Sequence, residues 1–198
     1  MLNIAILGSG NGSILPALFT EIELQHLPIN IKLIISNKKN ALILKRAEEF
    51  NIPRALVMHA NKDRQTHEKL LVGLLEQQNI NLILLIGYMR ILSPYFINKW
   101  KNKIFNVHPS LLPEFSGLMD LAVHQAVINA KKDKTGCTVH IVDRSLDGGK
   151  IVIQKYCSVE KNDTPLALKK RVQSLEHLAL IEAIKKISCL GSVITNSL

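Results

Sequence analysis

The 198-residue chain is predicted to form one α/β domain, a mostly parallel sheet flanked by helices, with antiparallel strands added in its C-terminal half. Three observations predict it. Short apolar runs alternate with longer amphipathic segments up to His108, the pattern of strand–helix units stacked on a parallel sheet. Beyond that point 136–143 and 151–159 read as two strands joined by Ser145-Leu146-Asp147-Gly148-Gly149, a connection short enough to favour antiparallel pairing. With 47% hydrophobic and 21% charged residues, and only 10 Gly and 7 Pro, the chain has apolar surface enough to offset the entropy of ordering.

The elements follow in order. A strand at 3–7 leads through glycines to a helix from about Ser13, with Pro16 tolerated in its first turn. A strand at 31–36 precedes a helix after Asn40 that carries Leu42, Ile43, Arg46 and Ala47. A strand at 54–58 is followed by a helix over 64–78, where Leu70, Leu71, Leu74 and Leu75 recur at helical spacing and are expected to face the sheet. After a strand at 82–87, Ser93-Pro94 supplies an N-cap and first-turn proline for a short helix ending near Trp100. The strand at 104–108 closes the parallel half. Thr164-Pro165 opens a final helix to about Ile187, with Leu168, Val172, Leu175, Leu178 and Ala179 as its apolar stripe.

Several classes are excluded by composition. The longest nearly apolar stretch, 80–89, is interrupted by Asn81 and falls short of the roughly 20 residues that cross a bilayer. The amino end reads as a first strand and not as a secretory leader, so a cytoplasmic location is expected. Three cysteines, Cys137, Cys157 and Cys189, form neither a disulfide framework nor a zinc spacing, which fits a reducing compartment. The net charge of +9 favours anionic ligands. Its clusters, Lys131-Lys132, Lys169-Lys170-Arg171 and Lys185-Lys186, lack interleaved aromatics and are read as solvated faces, so no nucleic-acid partner is expected. Nothing in the sequence speaks to oligomeric state.

Two segments carry chemistry. Gly8-Ser9-Gly10-Asn11-Gly12-Ser13 links a strand to a helix and suits a phosphate, because small residues let backbone N–H groups approach an anion. The dinucleotide fingerprint is incomplete, with Ser13 at the last glycine position and Asn37 where an acidic residue is wanted. In Asn106-Val107-His108-Pro109-Ser110-Leu111-Leu112-Pro113 the amide and imidazole are two apart on a strand and project from one face at its carboxyl end. Such a pair suits addition of an amine to an acyl carbon, with Asn106 bonding the developing oxyanion and His108 stabilising it or delivering a proton. Asp147, in a Leu-Asp-Gly-Gly turn, is expected to orient His108 and raise its pKa. His59 and His140 are expected to be structural. No metal-ligand spacing and no Gly-x-Ser-x-Gly elbow are present in the sequence, so direct transfer without metal is the simplest scheme.

Taken with Gly87-Tyr88-Met89-Arg90-Ile91-Leu92-Ser93-Pro94, these motifs, in this order and spacing, resemble the family of folate-dependent phosphoribosylglycinamide formyltransferases. The likeness runs to about Glu176-His177. It implies a Rossmann-like formyltransferase fold in one domain over 1–198, with a nucleotide-binding half over 1–108 and a folate-site and C-terminal half over 109–190. It also implies 10-formyltetrahydrofolate as co-substrate, the amine of 5-phosphoribosylglycinamide as acceptor, attack through a tetrahedral intermediate, and a place in de novo purine synthesis. By that resemblance Asn106, His108 and Asp147 are catalytic. Gly12, Ser13 and Ile14 lie at the ribonucleotide phosphate, with Gln173, Ser174, Leu175 and Glu176 on its ribose or glycinamide side. Arg64, Met89, Arg90, Ile91 and Leu92, together with Asn106 and Asp143, Arg144, Ser145, Leu146 and Asp147, line the folate site.

Three departures stand out against that pattern. Ile14 replaces a common asparagine, Lys150 replaces an apolar residue or proline, and 117–124 is about two residues longer than in the best-known members. The alternatives are a transferase with another amine acceptor and a catalytically silent folate- or phosphate-binding protein.

Overall fold

A computed structural model describes residues 1–59 and 63–190, the side chains of 189 and 190 excepted. The expectations for Cys189 and for a domain end at residue 198 therefore lie outside the described residues.

Strand β1 (Leu2–Leu7) is followed by helix α1 (Leu15–Glu23), β2 (Ile29–Ser36), α2 (Leu42–Glu49), β3 (Arg54–Leu56), α3 (Arg64–Gln77), β4 (Leu82–Leu85) and α4 (Pro94–Lys99). Then come β5 (Ile104–His108), α5 (Leu121–Asn129), β6 (Lys134–Ile141), β7 (Ile151–Ser158) and α6 (Pro165–Leu190). The strand order is β3-β2-β1-β4-β5-β6-β7. Pairings β1–β2, β1–β4 and β2–β3 are parallel, whereas β6–β7 is antiparallel. The expected change of sheet direction late in the chain is therefore present.

By its internal contacts the chain divides into two compact units, residues 1–105 with the end of α6 from Lys185, and residues 106–184. In the first, Ile4 to Leu7 of β1 and Leu82 to Leu85 of β4 are all buried, as befits parallel strands covered on both faces. Their sequences read as unbroken apolar runs for that reason. The turn after β1 needs its glycine. Gly12 has φ of +59°, and a Cβ there would lie 2.5 Å from the Ile43 side chain.

The stripe expected on α3 is rotated. His67, Glu68, Leu71, Val72 and Leu75 are its buried residues, while Leu70 is 47% exposed. The buried Glu68 accepts from the backbone N–H of Ser93 at 2.7 Å and from its hydroxyl, and Ser93 caps α4 by accepting from Phe96 N. Polar groups thus fix this face, which apolar periodicity alone does not reveal.

In the second unit the expected elements are joined by α5, a helix that the sequence pattern does not predict. LAVHQAVIN is short and apolar on most sides, and Asp120 before it has φ of +54° and no side-chain cap, so neither period nor cap announces the helix. On α6, Leu168, Val172 and Ala179 are buried as expected, but Leu178 is 57% exposed. Among the described residues no helix is long and apolar enough to cross a membrane.

Candidate active site

The second unit gathers an amide, two imidazoles and a carboxylate. Asn106 and His108 end β5, His140 lies near the end of β6, and Asp147 sits in the turn before β7. The carboxylate Oδ2 of Asp147 lies 3.4 Å from Nδ1 of His108 and accepts from the Gly117 N–H at 2.8 Å. Its Oδ1 is 3.7 Å from Nε2 of His140. The Asn106 amide nitrogen is 3.2 Å from the same Nε2. The structure therefore brings Asn106, His108 and Asp147 into one cluster, and adds His140, which is expected from the sequence to be structural. Its signal was weak because the pairing joins residues 34 apart on different strands.

Backbone conformation aims the carboxylate. Asp147 has φ of +54°, a left-handed value that Asp tolerates better than most residues. Gly149 makes the turn possible, because a Cβ there would lie 1.8 Å from the Ile141 carbonyl oxygen. The segment after His108 is pinned as well. Thr138 Oγ1 donates to the Ser110 carbonyl at 2.7 Å and accepts from Leu112 N at 3.0 Å, and Ser110 Oγ donates to the Glu114 carbonyl at 2.6 Å.

Electrostatics depart from the sequence expectation in one respect. Asp147 does favour the charged form of His108, as does the Phe115 carbonyl 3.2 Å from Nε2, but burial outweighs both and holds the imidazole below its usual range. The side chain of His108 is only 5% exposed. Its two ring nitrogens both face acceptors, so the ring is shaped to receive a second proton while its surroundings resist one. Burial likewise lowers His140, against the Ile141 carbonyl and Asp147.

Elsewhere in the second unit, burial pushes the half-buried Glu176 carboxyl up to about 7, with Lys169 pulling the other way. Gln173 and Leu175 are half-buried and Ser174 is exposed, its hydroxyl donating to the Lys170 carbonyl at 3.3 Å. Asp143 accepts from the Ser145 N–H at 2.8 Å and from its hydroxyl, forming an exposed turn that includes Arg144 and a 56% exposed Leu146. Lys150 is exposed, and its carbonyl accepts from Ile141 N at 2.9 Å.

The remaining predicted residues belong to the first unit. Ser9 donates to Asn37 Oδ1 at 2.6 Å and accepts from the Met89 N–H at 2.9 Å, which ties the glycine loop to the 87–92 segment. Gly12 is buried and Ser13 half-buried, while Ile14 is 4% exposed and part of the core, so its side chain offers no polar contact. Met89 and Ile91 are exposed, Arg90 is half-buried and Leu92 is buried. Arg64 is exposed at the start of α3, just after the Asp63 N-cap. Among the described residues no three His, Cys, Asp or Glu side chains are arranged as metal ligands.

Comparison with known proteins gives concordant matches. The family described as "Formyl transferase" matches residues 2–184. The trifunctional purine biosynthetic protein adenosine-3 of Chironomus tentans is 36% identical over 93% of this chain and 14% of its own length. The chain thus spans about a seventh of that protein. Phosphoribosylglycinamide formyltransferase of Bacillus subtilis (strain 168) is 34% identical over 94% of this chain and 95% of its own. A crystal structure of the phosphoribosylglycinamide formyltransferase from Bacillus halodurans superposes with a TM-score of 0.88 at 30% identity, covering 96% of each chain.

Proposed function

Because the chain belongs to the formyl transferase family, we propose that it transfers a formyl group from 10-formyltetrahydrofolate to the amine of 5-phosphoribosylglycinamide, a step of purine biosynthesis. The Bacillus subtilis phosphoribosylglycinamide formyltransferase, matched over nearly its full length, supports this acceptor. The observation that carries the reading is the cluster at the end of β5, where Asn106 and His108 stand two apart on one strand, His108 Nδ1 faces the Asp147 carboxylate at 3.4 Å, and Asn106 is linked to the same carboxylate through His140.

In this reading the acceptor amine attacks the formyl carbon. The carbonyl oxygen gains charge, Asn106 donates a hydrogen bond to it, and His108 donates a second hydrogen bond or a proton from Nε2, exchanging the Phe115 carbonyl for the oxyanion. Asp147 holds His108 by Nδ1 and stabilises the imidazolium, opposing the burial that disfavours it. The bond from the formyl carbon to the folate nitrogen then breaks, and the proton lost by the amine ends on that nitrogen, so tetrahydrofolate leaves. The donor is a co-substrate, consumed stoichiometrically, and no step calls for a metal ion.

The same reading assigns the ribonucleotide phosphate to Gly12, Ser13 and the backbone at Ile14, and the ribose or glycinamide side to Gln173, Ser174, Leu175 and Glu176. Arg64, Met89, Arg90, Ile91, Leu92, Asp143, Arg144, Ser145 and Leu146 fall to the folate. The partners are small molecules, and the absence of a nucleic-acid motif from the sequence supports that choice. A cytoplasmic location is supported by Cys137 and Cys157, both free thiols.

Purified chain supplied with 10-formyltetrahydrofolate and glycinamide ribonucleotide, without added metal, is expected to release tetrahydrofolate and formylated product in equal amounts. The buried Ile14, where a polar contact is common, makes a panel of other amines the natural control. Transfer to another amine alone would move the acceptor assignment, and folate-dependent thermal stabilisation with no transfer to any amine would establish a silent binder.

A further inference from the structure

We propose that His140 is a positioning residue for this transfer, holding the Asn106 amide in the one orientation that aims an N–H at the developing oxyanion. The inference rests on the reaction proposed above. His140 is buried, 2% exposed, and it lies between partners of opposite character. Its Nδ1 is 3.1 Å from the Ile141 carbonyl oxygen, which only accepts, so Nδ1 carries the ring hydrogen. The lone pair of the neutral ring then sits on Nε2, 3.2 Å from Asn106 Nδ2, which only donates. The Ile141 carbonyl is fixed by the backbone, and through the ring it fixes the amide. A flipped Asn106 would set its carbonyl oxygen against a lone pair.

One N–H of Asn106 is thereby engaged, and the direction of the second is set before any substrate arrives. Preorganisation of this kind is what makes an oxyanion donor effective, since it then needs no reorientation as charge develops. Protonation dismantles the arrangement. An imidazolium has no lone pair for Asn106, and its Nε2–H faces Asp147 Oδ1 at 3.7 Å instead. The charged and titratable groups acting on the ring are Asp147 and Asp143, which favour the cation, and His108, which opposes it, while burial dominates and keeps the ring neutral. Falling pH is therefore expected to misalign Asn106 as well as to charge His108.

The test uses His140→Phe, which keeps a flat ring without an acceptor, and His140→Gln, whose side-chain oxygen accepts near the place of Nε2. With the fold verified by circular dichroism and thermal midpoint, His140→Phe is expected to lower kcat about 10²-fold. KM for either substrate should move less than about threefold. His140→Gln is expected to recover at least about tenfold of that loss and to show a shallower fall of kcat toward low pH. Equal rates for the two variants, or a Phe variant within about twofold of the parent, would overturn the proposal.

A second measurement does not depend on turnover. Nitrogen-15 spectra of the histidine rings are expected to show His140 with a pyrrole-type Nδ1 and a pyridine-type Nε2, the latter moving in Asn106→Ala. An Nε2–H tautomer in the parent chain would overturn the positioning role whatever the activity. Conversely, the expected tautomer in a chain that transfers no formyl group would refute the reaction and leave the orientation of Asn106 supported.

Discussion

His108 receives two instructions that differ in sign. The carboxylate at Nδ1 and the carbonyl at Nε2 call for a doubly protonated ring, and burial calls for a neutral one. Burial prevails in the resting site, so charge on the ring is favoured only when an anion develops beside it, which is the moment a transfer catalyst needs it. Replacing His108 by Ala is expected to lower kcat by roughly 10²- to 10⁴-fold, measured in single-acceptor assays of formyl transfer. Undiminished turnover would remove the histidine from the chemistry. In Asp147→Asn the support for the imidazolium is lost, so the pKa of His108 falls further and the limb of the kcat/KM profile that reports it moves to lower pH. A profile that stays in place, with lower activity, would make Asp147 a binding group and not an electrostatic one. Asparagine is the replacement of choice because it too accepts a positive φ, whereas a bulkier side chain would disturb the backbone at the same time.

At the scale of the elements, the turn between β6 and β7 is the most constrained stretch near the cluster. A methyl group at Gly149 would meet the Ile141 carbonyl at 1.8 Å, and Ile141 is also the acceptor for His140 Nδ1. Gly149→Ala is therefore expected to cost about 2 kcal/mol in chemical denaturation, through forced displacement of backbone. It should also depress activity beyond what the stability loss explains. A variant with normal activity and normal stability would mean that the strand ends yield without consequence. The parallel strands were legible because Ile4 to Leu7 and Leu82 to Leu85 are apolar without interruption, and burial on both faces leaves that mark in sequence. The buried faces of α3 and α6 were only partly legible. Leucine at positions 70 and 178 lies within helical reach of the core stripe yet outside it, and the polar anchor Glu68 to Ser93 that sets the rotation of α3 has no apolar signature. Asn106, His108 and Asp147 stood out as residue types at strand and turn ends, whereas His140 gains its meaning only from neighbours supplied by other segments.

For the whole molecule, buried ionisable groups set opposing slopes of stability with pH. His124 is buried and its pKa falls to about 4, so between 6.5 and 4 the folded state binds fewer protons than the unfolded and stability drops as pH is lowered. His67, His108 and His140 act in the same direction. Glu176 is raised to about 7 from 4.5, so over that window the folded state binds more protons and stability drops as pH is raised. Urea midpoints taken from pH 4 to pH 7 are expected to pass through a maximum, with His124→Leu flattening the acid side and Glu176→Gln the neutral side. Midpoint curves of the two variants running parallel to the parent would show that neither group carries the shift. Among the described residues the outermost strands of the sheet are β3, of three residues, and β7, of eight. The longer border bears a 68% exposed Tyr156, with Lys134 over its ring and Lys155 paired to Glu182 beside it. The eight-residue edge is thus the longer template for strand addition from another molecule, and lysines beside an edge strand are residues that disfavour such addition.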